Sequence, residues 1–248
     1  MDEVLLVTGG SRGIGAATAV LAARRGYAVA VNYTNNQAAA EDVVRAINAG
    51  GGRAIALQAD VADEAQVLRL FSEVDARLGR LTALVNNAGI VDQKARVDEM
   101  GVERLKRMFD INVIGSILCA REAIKRMSTK HGGRGGAIVN VSSAASRLGA
   151  PGQYVDYAAT KGAIDAFTIG LAKEVAAEGI RVNAVRPGLI ETEIHASGGL
   201  PNRVEELKHL VPMLRGGSAD EVAQAIVWLL SPEASYTTMS LLDVSGGR

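Results

Sequence analysis

A tyrosine and a lysine stand four residues apart in a stretch made otherwise almost entirely of small residues. The stretch SSAASRLGAPGQYVDYAATKGA, over 142–163, contains Tyr157 and Lys161. Residues four apart on a helix share one face, so the two side chains point the same way if this segment is helical. A nearby ammonium lowers the pKa of a tyrosine, which can then exchange a proton with a carbonyl or alcohol oxygen. The pair predicts acid–base chemistry, although a packed tyrosine and a solvated lysine would have the same spacing.

Two serines, Ser142 and Ser143, precede this pair and end a predicted strand over 136–143. A helix predicted over 153–177 follows that strand, and it carries the tyrosine and the lysine. In a doubly wound α/β sheet, the carboxyl ends of the strands line the ligand crevice. We therefore expect serine, tyrosine and lysine to meet at the crevice, where the serine hydroxyl would hydrogen-bond the reacting oxygen.

Short apolar runs alternate with longer helical patterns along the chain. Predicted strands cover 4–9, 27–33, 53–60, 81–89, 136–143, 180–188 and 240–247, and the later helices cover about 101–130, 153–177 and 219–231. This alternation predicts an α/β fold, namely a doubly wound, seven-stranded parallel sheet of Rossmann type between two helical layers. No linker or repeat interrupts it, so we expect 1–248 to form a single domain with an irregular substrate loop at about 189–217.

A glycine-rich turn, TGGSRGIG over 8–15, joins the first predicted strand to the first predicted helix. Its glycines are spaced Gly9-x-x-x-Gly13-x-Gly15. Glycines permit a tight bend and a close approach of the backbone to a pyrophosphate, and the helix N-terminus supplies N–H donors. At this position in the fold the turn predicts a dinucleotide site, against the alternative of a purely structural turn.

The end of the second predicted strand indicates which dinucleotide binds. An acidic residue there would bind the ribose 2′-hydroxyl of NAD, but the chain has Asn32, Tyr33 and Thr34. Arg12, inside the glycine turn, could instead bind a 2′-phosphate through charge-assisted hydrogen bonds. We therefore predict NADP(H) rather than NAD(H), with a solvated loop arginine as the alternative reading of Arg12.

Composition excludes several functional classes. The 27 basic and 27 acidic residues balance to a formal net charge of zero, so nucleic-acid binding, which usually needs a strong positive bias, is not expected. The single cysteine, Cys119, excludes a disulfide framework and favours a reducing compartment; we interpret it as a buried small side chain. Neither a secretory signal nor an apolar run of ~20 residues is present, so we expect a cytoplasmic protein that does not contact a membrane.

Several motifs, taken in order, resemble those of the short-chain dehydrogenase/reductase family, in particular its members of the glucose 1-dehydrogenase and 3-oxoacyl-(acyl-carrier-protein) reductase type. TGGSRGIG matches the family's T-G-x-x-x-G-x-G, and YAATK over 157–161 matches its Y-x-x-x-K. NNAG over 86–89 follows the fourth predicted strand as it does in the family, and RPG over 186–188 and the terminal LDVSGG also match. The resemblance runs from one end of the chain to the other.

The resemblance implies a role for each matching residue. Tyr157 would be the general acid/base, and Lys161 would lower its pKa and bind the nicotinamide ribose. A serine at the end of the fifth strand would polarise the substrate oxygen, and Ser143 aligns best, with Ser142 as the alternative. Asn112 would hold a water molecule in the proton relay.

The resemblance also implies a set of cofactor contacts, with Asp60 near the adenine and the segment after the sixth strand beside the carboxamide. The expected contact residues are Gly9, Ser11, Arg12, Gly13, Ile14, Gly15, Asn32, Tyr33, Thr34, Asp60, Val61, Asn86, Ala88, Gly89, Tyr157, Lys161, Pro187, Gly188, Ile190 and Thr192.

The function expected from these features is an NADP(H)-dependent oxidoreductase that transfers a hydride between nicotinamide and a carbonyl or secondary alcohol. The alternative is a catalytically silent NAD(P)-binding sensor. The family is commonly tetrameric, so we expect a homotetramer, with a dimer as the alternative, packed through the helices that begin near 101 and 153 and the apolar C-terminal strand.

The substrate stays open between a free small carbonyl or alcohol and a 3-oxoacyl group on an acidic carrier protein. Arg126, Lys130 and Arg134 could form a basic surface for a carrier protein, but Glu178 stands where such reductases often have a basic residue. The three histidines lack the spacing of metal ligands, so we expect no metal, although His195 lies in the expected substrate loop.

Overall fold

The computed structural model describes residues 3–193, 198–200 and 202–248, so His195 lies outside the described residues. Within them, the strands of a single sheet are β1 (Glu3–Val7), β2 (Tyr27–Tyr33), β3 (Arg53–Gln58), β4 (Ala83–Asn86), β5 (Gly136–Val141), β6 (Ile180–Pro187) and β7 (Leu241–Val244). All pairings are parallel, in the order β3-β2-β1-β4-β5-β6-β7. The predicted doubly wound, seven-stranded parallel sheet is confirmed.

Helices cover both faces of the sheet. They are α1 (Gly13–Arg24), α2 (Gln37–Ala49), α3 (Glu64–Arg77), α4 (Val102–Phe109), α5 (Gly115–Met127), α6 (Ala145–Leu148), α7 (Val155–Val175), α8 (Arg203–Leu207) and α9 (Ala219–Leu230). Phe71 of α3 and Leu171 of α7 belong to the core on one face, and Ala19 of α1 and Ile226 of α9 belong to the core on the other. This is a three-layer α/β/α arrangement.

Strand β1 explains why both faces must be covered. Val4 and Leu6 are buried in one core, whereas Leu5 and Val7 are buried in the other. Successive side chains of a strand point to opposite faces, so a continuous apolar run is stable only between two helical layers. The strand order reverses between β1 and β4, and ligands of such sheets bind at that point, outside the carboxyl ends of the strands.

The long helix predicted over 101–130 is interrupted, which corrects the sequence-based boundary. Helix α4 ends at Phe109, one wider π-helical turn covers Asp110–Ile114, and α5 begins at Gly115. The wider turn brings Asn112 inward, where its side chain is buried and hydrogen-bonded to the backbone of Ile90. Single π-helical turns inside helices are frequent at functional sites.

Two features of the fold concern expectations drawn from composition, namely the length and apolar character of its helices and the burial of the single cysteine. Among the residues described, no helix combines the length and the apolar character that a bilayer crossing requires. Cys119 is fully buried on α5, and burial, followed by the nearby charge of Glu122, raises the pKa of its thiol to about 12. The interpretation of this cysteine as a buried small side chain is confirmed. The single-domain organisation stays a prediction.

Candidate active site

The glycine-rich turn between β1 and α1 bends tightly at one edge of a large cleft. Gly9 and Gly13 have φ of 59° and 52°, in the left-handed region that favours glycine. Gly15 serves a different purpose: a Cβ there would lie 2.4 Å from the carbonyl oxygen of Gly9 and 2.5 Å from Nδ2 of Asn87. Glycine at this position therefore lets the start of α1 approach the turn and the end of β4.

Asn87, which the sequence analysis did not single out, ties this turn to the end of β4. Its Nδ2 donates to the carbonyl oxygens of Thr8 and Gly9, both at 2.9 Å. In return, the Thr8 hydroxyl accepts from the backbone N–H groups of Asn87 and Ala88, both at 3.0 Å. The NNAG motif contains this residue, so its position in the motif was the available signal.

Three of the expected cofactor contacts lie beneath the cleft instead of lining it. Asn32 is buried; its Oδ1 accepts from the Gly9 N–H at 3.2 Å, and its Nδ2 donates to the Ala59 carbonyl at 3.0 Å. Asn86 is also buried, and its Nδ2 donates to Oδ1 of Asn140 at 3.0 Å. With Gly15, these side chains shape the walls of the cleft from behind.

The cleft has a volume of about 1090 Å³ and lies at the carboxyl ends of the strands. It is large enough for a bound organic cofactor together with a small substrate. The expected cofactor-contact residues that line it are Gly9, Ser11, Arg12, Gly13, Ile14, Tyr33, Thr34, Asp60, Val61, Ala88, Gly89, Tyr157, Lys161, Pro187, Gly188, Ile190 and Thr192.

The features of the cleft edge suit a dinucleotide. Arg12 stands at the N-terminus of α1 and makes no side-chain cap, so the first N–H groups of this 12-residue helix remain available to an anion. The Arg12 side chain is exposed on the cleft wall near Tyr33 and Thr34, at the end of β2. A carboxylate of Asp60 lines the same region. These residues fit the phosphates and the adenine end of a dinucleotide.

Tyr157 and Lys161 face the same cleft from α7. The Lys161 ammonium lies 5.5 Å from the centroid of the Tyr157 ring and donates to the Val141 carbonyl at 2.7 Å. Lys161 is almost fully buried, whereas the Tyr157 side chain is partly exposed to the cleft. The structure therefore brings the tyrosine and the lysine together, with the amine beside the ring.

The two serines at the end of β5 have different partners. The Ser142 hydroxyl donates to the backbone carbonyl of Lys161 at 3.2 Å. The Ser143 hydroxyl accepts from the Ala145 N–H at 3.1 Å, and its interaction with the Tyr157 phenol lowers the pKa of that phenol. Of the two serines, Ser143 is the one whose side chain affects the pKa of the phenol.

The electrostatics of the pair differ from the sequence-based expectation. Burial raises the pKa of Tyr157, and the Ser143 side chain and the charge of Arg203 only partly oppose this rise. Burial also lowers the pKa of Lys161 to about 8, against the opposing charge of Asp165. The expected lowering of the tyrosine pKa by Lys161 is therefore not seen, because the effect of burial dominates.

Asn112 lies behind the pair, in the π-helical turn. Its Oδ1 accepts from the Ile90 N–H at 2.8 Å, and its Nδ2 donates to the Ile90 carbonyl at 3.0 Å and to the Thr160 hydroxyl at 3.2 Å. A Cβ built on Gly89 would lie 3.4 Å from Asn112 Oδ1 and 3.6 Å from Lys161 Nζ. Asn112 and the lysine ammonium therefore flank Gly89, and a larger residue there would crowd both groups.

A buried ion pair anchors the start of α7 next to the tyrosine. Arg104 of α4 donates to both carboxylate oxygens of Asp156, at 2.7 and 3.2 Å, and to the Gln93 carbonyl at 2.6 Å. The Asp156 side chain is completely buried. This bidentate ion pair holds the first turn of α7 against α4. Sequence analysis missed it because the partners are 52 residues apart.

Tyr154 and Arg203 form a second feature that sequence analysis missed. The Tyr154 hydroxyl donates to the Gly198 carbonyl at 3.2 Å, and the Arg203 guanidinium lies 5.2 Å from the centroid of the Tyr154 ring. Both residues line the cleft with Tyr157. Tyr154 stands three residues before Tyr157, and this spacing was only a weak sign that it lines the cleft. The irregular segment around Arg203 contains no pattern that would have indicated a site residue.

With this fold and this cleft, the chain belongs to the short-chain dehydrogenase/reductase family. Residues 9–248 match the family model described as enoyl-(acyl carrier protein) reductase. The relatives that it resembles are named as oxidoreductases, reductases and dehydrogenases, and this chain is an oxidoreductase of that family. Membership implies a nicotinamide cofactor.

Three proteins illustrate the similarity. The chain is 60% identical over 245 residues to the uncharacterized oxidoreductase YgfF of Escherichia coli (strain K12), covering 99% of both chains. It is 39% identical over 246 residues to a 3-oxoacyl-(acyl-carrier-protein) reductase of Synechocystis sp., covering 99% of this chain and 96% of that one. Among solved structures, a short-chain dehydrogenase/reductase from Serratia marcescens has a TM-score of 0.91 at 33% identity, covering 99% and 97% of the two chains.

Proposed function

We propose that the protein is an NADP(H)-dependent oxidoreductase that interconverts a carbonyl and a secondary alcohol, with Tyr157 as the general acid/base. The observation that carries the proposal is the meeting of Ser143, Tyr157 and Lys161 on one wall of the cleft that also contains the glycine-rich turn. An acid/base residue, a hydrogen-bond donor and a cation are the groups that hydride transfer to a carbonyl requires from a protein.

When bound, the nicotinamide supplies or accepts the hydride. In the reductive direction, the Tyr157 hydroxyl gives its proton to the carbonyl oxygen, and the Ser143 hydroxyl donates a hydrogen bond to the same oxygen. The Lys161 ammonium balances the phenolate that this step creates and binds the ribose hydroxyls. Asn112 holds the backbone beside Lys161 in place and completes the proton relay through water.

NADP(H) is proposed over NAD(H) because of the charges around the end of β2. The residues there that line the cleft are Tyr33, Thr34, Asn35 and Asn36, which carry no negative charge to repel a 2′-phosphate. Arg12 is exposed beside them and makes no ion pair with any described residue. A guanidinium in this position suits a phosphate.

The cofactor proposal is tested by the preference for NADPH over NADH. Arg12→Gln is expected to lower kcat/KM for NADPH about 10- to 100-fold and to leave kcat/KM for NADH nearly unchanged. Arg25→Gln removes an exposed cation at the other end of the same helix and is the matched control. An unchanged NADPH preference in the Arg12 variant would refute the assignment.

The catalytic proposal is tested with NADPH and a panel of ketones and 3-oxoacyl thioesters, followed by the loss of absorbance. Tyr157→Phe is expected to lower turnover about 100- to 10,000-fold while NADPH affinity stays nearly the same. A variant that kept most of its activity would refute the acid/base assignment. Tight NADPH binding without turnover of any panel member would instead support a cofactor sensor.

The charged surface near Glu178 favours a free small substrate over one carried by an acidic protein. Lys130 pairs with Glu178 at 2.6 Å, and Arg126 pairs with Asp75 at 2.7 Å and with Glu122 at 3.2 Å. Two of the three cations of the expected basic surface are thus paired within the chain, and the third, Arg134, is exposed. The similarity to a 3-oxoacyl-(acyl-carrier-protein) reductase keeps the carrier-bound substrate as the second candidate. Comparing a 3-oxobutanoyl group on carrier protein with the free thioester distinguishes the two.

We propose a homotetramer, with a dimer as the alternative. Support comes from apolar side chains that remain exposed near the predicted interface helices, namely Phe109, Ile114, Ile117 and Ile169. Such a patch is stabilised by packing against another copy. Sedimentation at working concentration should give a species larger than the 25.8 kDa chain, and a monomer alone would refute the proposal. The single domain and the cytoplasmic location remain predictions.

A further inference from the structure

A half-buried guanidinium group, that of Arg203, stands at the cleft. Arg203, the first residue of α8, lines the cleft and is half-buried. Its Nη1 donates to Oε1 of Gln153 at 2.5 Å, and its guanidinium stacks over the Tyr154 ring. Within the described part of the chain, no carboxylate lies within ion-pair distance of it. A guanidinium has five N–H donors, so most of its hydrogen-bonding capacity faces the cleft or solvent.

Three other arginines with limited exposure have their charge or their donors satisfied. Arg104 is paired with Asp156, and Arg186 is paired with Asp165. Arg181, which has no carboxylate partner among the described residues, donates to four backbone carbonyls of Leu229, Leu230, Ser231 and Thr237. Arg203 has neither kind of compensation. An unpaired charge that loses water costs free energy unless a ligand supplies the counter-charge.

The groups around Arg203 act on its charge in both directions. Burial lowers the pKa of Arg203 and Tyr154 opposes this, while Arg248, which also lines the cleft, lowers the pKa and Glu206 and Tyr157 raise it. Three carboxylates, those of Asp60, Asp92 and Glu193, also line the cleft, and the Glu206 carboxylate of α8 acts on Arg203 through its charge. None of the four pairs with Arg203, so its guanidinium group leaves this end of the cleft open to an anion.

Arg203 is also close to the reacting groups. Its positive charge acts on the phenol of Tyr157, and both residues line the cleft together with Tyr154. Arg203 stacks on Tyr154, which precedes Tyr157 by about one helical turn, so an anion bound by Arg203 would share this part of the cleft with the reacting oxygen.

We propose that the physiological substrate carries a carboxylate near its carbonyl or hydroxyl group, and that Arg203 binds this carboxylate and thereby orients the substrate. The proposal deepens the function proposed above and rests on it. In the reductive direction, a keto acid takes one hydride from NADPH and one proton from Tyr157, which gives a hydroxy acid and NADP⁺. The carboxylate itself does not change.

The test compares keto acids with their uncharged methyl esters. The pairs are 4-oxopentanoate, 5-oxohexanoate and 4-oxocyclohexanecarboxylate, each with its methyl ester, assayed with NADPH. Arg203→Gln is expected to lower kcat/KM for the preferred keto acid about 10- to 100-fold and that for its ester by less than about threefold. Arg203→Lys, which retains the charge, should recover part of the loss.

A control variant and a binding measurement separate a specific contact from a structural role. Arg107→Gln removes another cation that lines the cleft but is exposed, and it should change the keto acid to ester ratio less than about threefold. Calorimetry with the protein–NADPH complex measures binding of cyclohexanecarboxylate and of uncharged cyclohexanecarboxamide without any turnover. Only the carboxylate should bind more weakly to the Arg203→Gln variant.

The outcomes distinguish this inference from the proposed function. Equal use of keto acids and esters by the unmodified protein, or an equal loss of both in Arg203→Gln, would overturn the inference and leave the oxidoreductase function standing. Turnover of neither class, together with Arg203-dependent binding of cyclohexanecarboxylate, would overturn the function but retain an anion site. Carboxylate binding that does not depend on Arg203 would overturn the inference directly.

Discussion

Replacing Lys161 by methionine should make the protein more stable and at the same time inactivate it. The lysine is buried, and burial lowers the pKa of its ammonium from the ordinary 10.5 to about 8. This difference corresponds to a cost of roughly 3 kcal/mol for keeping the charge in the folded protein at neutral pH. Methionine has a similar length without the charge, but it loses the hydrogen bond to the Val141 carbonyl, worth about 1 kcal/mol. The expected net gain is about 2 kcal/mol in the free energy of unfolding.

The pH dependence of that gain identifies its cause. The folded-state pKa of Lys161 lies below the unfolded one, so the unfolded chain binds more protons between about pH 8 and about pH 10.5. The stability of the unmodified protein relative to the methionine variant should therefore rise with pH, by about 2 kcal/mol from about pH 7 to about pH 9.5. Urea unfolding at several pH values measures this difference.

The matched control is Lys173→Met, which removes an exposed lysine from the same helix. Its stability difference should stay flat across the same pH range. If the difference in the free energy of unfolding between the unmodified protein and Lys161→Met did not vary with pH, the reasoning that a buried ammonium titrates near neutral pH would be refuted. Activity is measured in parallel, because the account requires the variant to lose turnover while it gains stability.

Further predictions concern the turn, the ion pair and the two serines. Gly15→Ala places a Cβ 2.4 Å from a backbone oxygen and should cost about 1 to 3 kcal/mol of stability, measured by urea unfolding, and weaken NADPH binding. Arg104→Met leaves the Asp156 carboxylate buried and unpaired and should cost about 3 to 5 kcal/mol by the same measurement. Ser143→Ala should lower kcat about 100-fold, whereas Ser142→Ala should stay close to unmodified turnover in steady-state assays.

Each of these predictions has a control or a contradicting outcome. Gly162→Ala adds a Cβ that meets nothing within 4 Å and should leave cofactor binding unchanged. The double variant Arg104→Met, Asp156→Leu should recover much of the stability lost by the single variant, and no recovery would argue against the unpaired charge as the cause. A larger loss of turnover in Ser142→Ala than in Ser143→Ala would reverse the assignment of the serine.

Much of the fold could be predicted from local sequence patterns, whereas the exact ends of its helices and strands could not. The strand of 4–9 was predicted from its apolar run, and β1 covers Glu3–Val7. The helix predicted over 101–130 is interrupted in the structure by a π-helical turn. Contacts of Asn112 with Ile90 and Thr160 stabilise this turn. Those partners come from other elements, so no helical periodicity within the segment could reveal them.

The sequence by itself determined the glycine turn, the strand–helix alternation and the common face of Tyr157 and Lys161. Each of these depends on residues only a few positions apart, whose conformational preferences act locally. Only the tertiary structure decided that the Ser143 side chain lowers the pKa of the phenol, that the lysine ammonium donates to a carbonyl 20 residues earlier, and that Arg203 meets Gln153 across 50 residues. Such contacts form when separate elements pack together, and packing is a property of the whole chain.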